Sequence, residues 1–198
     1  RDRFISLLVS GGHTQIILVE SYDKMTIIGE TRDDAVGEAF DKCAKILGLD
    51  YPGGPLIDKL SLEGNSNSYS FPDTKVDGYD YSFSGIKTSF LYFIKKELKK
   101  NPKFIEDNLN DICASIQSKL ISMLIMKLKK VIINYKVTDV SICGGVAANS
   151  YLRKEISKLS KSKDFLSIEI QSNLKGYKIG SSICCSGICL TVTSVSYT

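Results

Sequence analysis

The sequence predicts an α/β fold on three observations: β-rich segments flank a Ser-Gly-Gly turn near the start, an amphipathic helical pattern follows, and a strand, a glycine pair and a helix succeed one another around residue 145. Phe4 to Val9 is apolar and β-rich, Ser10-Gly11-Gly12 is turn chemistry, and Thr14 to Val19 is β-rich again, so this stretch predicts a hairpin. Lys24 to Gly29 predicts a third strand. Within Arg32 to Leu47, the residues Val36, Phe40, Cys43, Ala44 and Leu47 recur at helical spacing, Gly48 is placed to stop the helix, and Asp33 and Asp34 suit its first turn.

From Asp50 to Tyr81 the chain is rich in Gly, Pro, Ser, Asn and Asp and reads as irregular surface structure, with Gly53-Gly54 after Pro52 as a turn. A loop that long usually has a task. Helical patterns resume from Ile86 to Lys99 and from Pro102 to Tyr135, where Leu109, Ile112, Ile116, Leu120, Met123, Leu124 and Val131 make one apolar stripe that reads as core. Thr138 to Cys143 predicts a strand, Gly144-Gly145 a turn and Asn149 to Leu159 a helix. Beyond Phe165, alternating β-branched positions with turns at Gly176, Gly180 and Gly187 predict short antiparallel strands.

Composition narrows the class. With 43% apolar and 24% charged residues in a chain of 198, neither disorder nor a fibrous architecture is expected. No apolar run is long enough to cross a bilayer and no cleavable leader opens the chain, so a cytosolic location is expected. The start at Arg1 suits a fragment or a processed product. The net charge of +4 tolerates a polyanionic partner but falls short of the excess of a dedicated nucleic-acid binder. Six cysteines lack paired zinc spacing and are expected as reduced thiols, with Cys43, Cys113 and Cys143 in the core.

The residues that carry chemistry are two glycine bends. A strand ending in Ser10-Gly11-Gly12 turns tightly and aims backbone N–H groups at an anion with no Cβ in the way. Gly144-Gly145 ahead of a helix offers a second cradle, whose dipole favours negative charge. Together the bends suit opposite ends of one phosphorylated ligand. Asp41, on the first helix, supplies an acceptor for ribose hydroxyls. His13 beside the first bend reads as an accompanying residue rather than a base or a metal ligand.

The strings LLVSGGHTQ, GETRDDAVGEAFDKCAKILGLDYPGGP, YSFSGIKT and GGVAANSYLR occur in the order and spacing of one family, and over about four fifths of its length the chain resembles the tRNA N(6)-adenosine threonylcarbamoyltransferases. The resemblance implies the second lobe of an actin/sugar-kinase-like (ribonuclease H-like) pair, occupying residues 1–162. Leu8, Val9, Ser10, Gly11 and Gly12 match the family's adenylate-binding loop, and Asp41, Gly54 and Asn149 match further ligand contacts. The implied reaction moves a threonylcarbamoyl group from its AMP anhydride to the N6 amine of the adenosine beside the anticodon, in tRNAs that read codons beginning with A. Threonylcarbamoyl-AMP or ATP, tRNA, a smaller paralogous actin-like subunit and an ATPase are the implied partners.

A divalent metal, iron or zinc, is also implied, but its ligands belong to the first lobe and to a later aspartate, so no metal ligand is expected here. Residues 163–198 resemble part of a riboflavin synthase barrel, with Cys189, Leu190 and Thr191 matching a ligand-contacting stretch. Two alternatives stand beside the transferase: a noncatalytic actin-like lobe that pairs with a related subunit, and a lumazine-binding fragment working through the tail.

Overall fold

The computed structural model describes residues 3–159 and two short strands at 182–185 and 188–191. Strands β1 (Phe4–Val9), β2 (Thr14–Ser21) and β3 (Lys24–Glu30) form an antiparallel meander, and β4 (Val140–Cys143) joins β1 in parallel, giving the order β3-β2-β1-β4. This is an α/β lobe, as expected. Alternation along the strands turns Ile5, Leu7, Val9, Ile16 and Leu18 into one core with the helices.

Helix α1 (Val36–Ile46) buries Val36, Phe40, Cys43 and Ala44, which its periodicity marks, and Ala39 beside them; Leu47, just past its end, is buried too. Gly48, at φ +76°, ends it in the left-handed region where a Cβ is strained. The stretch expected to be irregular instead contains α2 (Gly53–Ser61). Its pattern is masked because it is short and opens on Gly-Gly-Pro, the composition of a turn, while a cis Tyr51–Pro52 peptide leads into it. Only Gly53 and Ile57 are buried on it.

Helices α3 (Ser84–Lys100) and α4 (Phe104–Tyr135) match the two long helical patterns. On α4 the apolar stripe is buried from Ile112 through Val131, and Leu109 packs against the core from a half-buried position. The helix kinks at Asn108, whose side-chain amide donates to the Phe104 carbonyl at 2.9 Å while its Oδ1 accepts from the Tyr69 hydroxyl at 3.0 Å. Around that kink Tyr69, Phe71, Phe90, Phe93 and Phe104 stack in tilted and edge-on pairs with centroids 5.1–5.8 Å apart. This aromatic cluster holds the 69–71 segment down on α3 and α4.

A 3₁₀ turn (Gly145–Ala148) and α5 (Ser150–Ser157) follow β4. The tail contributes β5 (Ser182–Cys185) and β6 (Ile188–Thr191), an antiparallel pair with Cys184 opposite Cys189, in agreement with the expected short strands. The turns expected at Gly176, Gly180 and Gly187, and the join near 162, lie outside the described residues. Cys43, Cys113 and Cys143 are buried, unbridged thiols, and burial pushes Cys43 and Cys113 up to about 12, so they act as core apolar groups.

Asp33 does not serve the first turn of α1. Its carboxylate reaches across to the start of α3, accepting from the Phe83 amide at 2.7 Å, the Ser84 amide at 3.1 Å and the hydroxyls of Ser82 and Ser84. Partial burial works against its charge, but these donors outweigh it and hold the carboxyl below the ordinary 3.8. A depressed carboxyl stabilises the fold above its unfolded value and loses that contribution as pH falls through the folded value. Asp33→Asn is therefore expected to cost about 1 kcal/mol at pH 7, as for lost helix caps generally, and progressively less below pH 4. Urea denaturation of both proteins at pH 7 and pH 3 checks this; an equal difference at both pH values refutes it.

Candidate ligand site at two glycine bends

The first bend is shaped by a serine side chain. Ser10 Oγ accepts from the His13 amide at 2.9 Å and the Gly12 amide at 3.3 Å, and the Ser10 amide donates to the His13 carbonyl at 2.8 Å. Ser10 is thus the frame of its own turn. At Gly11 and Gly12 φ is not left-handed, and a Cβ built there meets nothing within 4 Å among the described residues. The fold gives no steric reason for glycine at either position, and both are exposed.

The second bend is different. Gly144 has φ +92°, and a Cβ on it would lie 2.3 Å from the Val9 carbonyl oxygen, so only glycine fits. The parallel register that sets Leu8 against Cys143 is the cause: the chain leaves both strands on the same side, and the two bends emerge next to each other. Residues 136 apart in sequence, such as Leu7 and Cys143, are in contact here.

Helix α1 starts against the first bend. The Gly37 amide donates to the Ser10 carbonyl at 3.1 Å, and a Cβ at Gly37 would sit 2.6 Å from that oxygen. Buried Thr14 caps the same helix end, accepting from the Val36 amide at 2.8 Å. One turn on, Asp41 shares the Gly37 face. Its Oδ1 accepts from the Gly53 amide at 2.8 Å and the Gly54 amide at 3.3 Å, so that oxygen caps α2. A Cβ at Gly53 would strike Ala44 at 2.2 Å, which explains the glycine, whereas Gly54 has room.

Asn149 is buried and doubly held. Its Oδ1 caps α5 through the Leu152 amide at 2.9 Å, and its Nδ2 donates to Gln117 Oε1 at 2.6 Å. Gln117, buried on α4, also donates to the Ser61 hydroxyl, and Asp58 of α2 accepts from the Ser150 amide and hydroxyl at 3.0 and 2.8 Å. Gln117, Asp58 and Thr14 escape sequence reading because each polar partner lies tens of residues away; a buried-face glutamine in an apolar stripe was the one available signal. Ser10 thus meets α1 at Gly37, Asp41 of the same helix meets Gly53 and Gly54 at the start of α2, and Asn149 reaches the other end of α2 through Gln117 and Ser61. His13 is exposed and engages the bend through its backbone. No cluster of three His, Cys, Asp or Glu suited to a metal occurs among the described residues, and no helix there is long and apolar enough to cross a membrane.

A family model for tRNA N6-adenosine threonylcarbamoyltransferase matches residues 2–170. The chain belongs to that family. Relatives of that name include one from Christiangramia forsetii, 58% identical over 77% of this chain and 45% of its own length. Another, from Riemerella anatipestifer, is 57% identical over 76% of this chain and 44% of its own length. A third, from Thermosipho africanus, is 49% identical over 81% and 48%. The chain spans less than half the length of these relatives. Among solved structures it is similar to component A of the Acidaminococcus fermentans (R)-2-hydroxyglutaryl-CoA dehydratase, at 20% identity and a TM-score of 0.48, covering 78% of this chain and 51% of that one.

The glycines of the threonylcarbamoyltransferase-family lobe separate into two kinds, and substitution distinguishes them. Gly37→Ala and Gly144→Ala force a Cβ into a backbone carbonyl and are expected to destabilise by more than about 2 kcal/mol. Gly11→Ala is expected to stay within about 0.5 kcal/mol of the parent. Thermal or urea unfolding of the three variants decides; a Gly11→Ala variant as unstable as the other two would mean that the fold itself demands that glycine.

Proposed function

We propose that this lobe holds the adenylate portion of threonylcarbamoyl-AMP, and that with the remaining parts of a complete enzyme it serves transfer of the threonylcarbamoyl group to N6 of the adenosine beside the anticodon of tRNAs reading codons that begin with A. The observation that carries the reading is the pair of adjoining bends, one of which keeps two exposed glycines that the fold does not require. A glycine without a structural reason leaves room for a ligand to approach the backbone.

In this reading the Gly11 amide and those around Gly145 face the phosphate, while the Gly12 amide stays with Ser10 Oγ and holds the bend in shape. Carbonyl transfer to the N6 amine breaks the mixed anhydride and releases AMP, so negative charge grows on phosphate oxygen as the bond breaks, and preorganised amides stabilise it. Ser10 frames the bend and is no nucleophile. Asp41 sets the α2 amides of Gly53 and Gly54 beside the site, and Asn149, locked by Gln117, fixes the start of α5. Leu8 and Val9 bring the strand to the bend. The family's iron or zinc has no matching donor set among the described residues, so no step is assigned to it. The natural partners are tRNA, a smaller paralogous actin-like subunit and an ATPase, in the cytoplasm. The boundary near residue 162 belongs to the same proposal.

Calorimetry or fluorescence titration of the purified chain with ATP, AMP and a stable threonylcarbamoyl-adenylate analogue tests the reading. Saturable binding is expected for the parent, with a loss of about tenfold or more in Gly11→Ala despite intact folding, since an added Cβ displaces the ligand from the amides. No saturable affinity for any of the three ligands, where a full-length relative binds them, ends the proposal.

A further inference from the structure

Helix α3 is strongly asymmetric. It buries Ile86, Phe90 and Ile94 against the core, while Tyr92, Lys95, Lys96 and Lys99 stand exposed on its other side and Lys87, also exposed, lies at the flank that faces Glu38 of α1. Between residues 84 and 103 there are six lysines against the single acidic residue Glu97, an excess of five; the whole chain's excess is +4, so everything outside this segment is together slightly acidic. The net positive charge of the protein therefore resides on one helix and its immediate continuation. Lys100 is partly neutralised by Glu97 at 2.7 Å, and no ion pair is formed by Lys87, Lys95, Lys96 or Lys99 among the described residues.

Tyr92 is 68% exposed in the middle of this stripe. At helical spacing Lys95, Lys96 and Lys99 lie three, four and seven residues beyond it and share its face. An exposed aromatic ring bordered by unpaired lysines matches the combination with which proteins track a nucleic-acid backbone, charge for the phosphates and a ring face for an unstacked base. From Tyr92 to Lys99 the stripe runs roughly 10 Å at the α-helical rise. The near end of the helix is tied to the candidate site, because Asp33, three residues before α1, holds the amides of Phe83 and Ser84.

We infer that the exposed face of α3, carrying Tyr92, Lys95, Lys96 and Lys99, is a docking surface for the phosphate backbone of the tRNA substrate. The inference rests on the proposed transfer to tRNA and adds where the RNA body lies. An unstructured polyanion would answer to the charge alone; the ring adds a preference for RNA with unpaired bases.

Filter-binding or anisotropy titration of the full chain with unmodified tRNA across a salt series tests the assignment. The triple variant Lys95→Glu, Lys96→Glu, Lys99→Glu is expected to bind at least tenfold more weakly and to flatten the dependence of log affinity on log salt by about 2, at roughly 0.7 to 0.9 per phosphate contact. Tyr92→Ala should weaken binding with an unchanged slope. Lys129→Glu with Lys130→Glu, reversing two exposed charges on α4, should change neither by as much. Equal affinity and slope in the stripe and α4 variants, or no salt-dependent binding of tRNA by the parent chain, overturns the assignment. So does a stripe variant that keeps tRNA and loses a protein partner instead. Adenylate binding measured on the same preparations separates the outcomes: when it persists while the stripe variant binds tRNA normally, the docking surface fails and the transferase reading stands.

Discussion

The parallel pairing of β1 with β4 is the constraint on which the rest of the lobe depends. It brings Leu8 against Cys143, and the consequence one residue further on is that Gly144 must lie on the Val9 carbonyl with no room for a side chain. Two bends that are remote in sequence become one surface because of that register. Slipping the register by one residue would turn the β4 side chains to the opposite face and carry Gly144 away from Val9. The left-handed backbone at Gly144 and the close approach at Gly37 are costs of packing chain turns this tightly, and the buried apolar faces of β1, α1 and α4 offset them.

Around that contact the helices are fixed by polar groups that cap each other's ends. Thr14 caps α1, Asp41 caps α2, Asp33 caps α3, and Asp58 with Asn149 caps α5. In each case except Asn149 the cap is borrowed from another element, so the helix starts are positioned by tertiary structure rather than by their own sequence. Each cap satisfies amides at the first turn of its helix, and the carboxylates of Asp33, Asp41 and Asp58 offset the positive dipole ends there. Asp41 engages two amides through Oδ1 alone, so it fixes the position of Gly53 and Gly54 while its second carboxylate oxygen stays an acceptor.

What was legible in the sequence follows from the range of the forces involved. The hairpin, the long helices, the stripe from Ile112 to Val131 and the strand ending at Cys143 are all encoded by periodicities that neighbours within a few residues define. The α2 helix was hidden because its start is stabilised by Asp41, twelve residues earlier, and its Gly-Gly-Pro opening speaks locally for a turn. Asp33 misled for the same reason, since proximity to α1 suggested a role there while its donors sit fifty residues on. At the candidate site Ser10, Gly11 and Gly12 were recognisable as a bend, but only coordinates separate glycines that the fold requires from glycines that it does not.

Asp33, in the β3–α1 connection, also decides the direction in which α3 leaves that connection. Asp33 takes four donors from residues 82–84, and the neighbouring segment is held to β3, where the Tyr81 amide donates to the Glu30 carbonyl at 2.9 Å and the Arg32 amide to the Tyr81 carbonyl at 3.0 Å. Gly29 closes the joint, since a Cβ there would meet the Tyr79 carbonyl at 2.5 Å. The first turn of α3 is clamped, and Phe90 and Ile94 are seated in the core. The lysines beyond Phe90 are thus carried on a helix anchored at the connection that leads into α1, and a polyanion docked on them as proposed would be placed relative to the bends by that anchor. Positioning of that kind costs the substrate less ordering than a flexible basic tail of equal charge would impose.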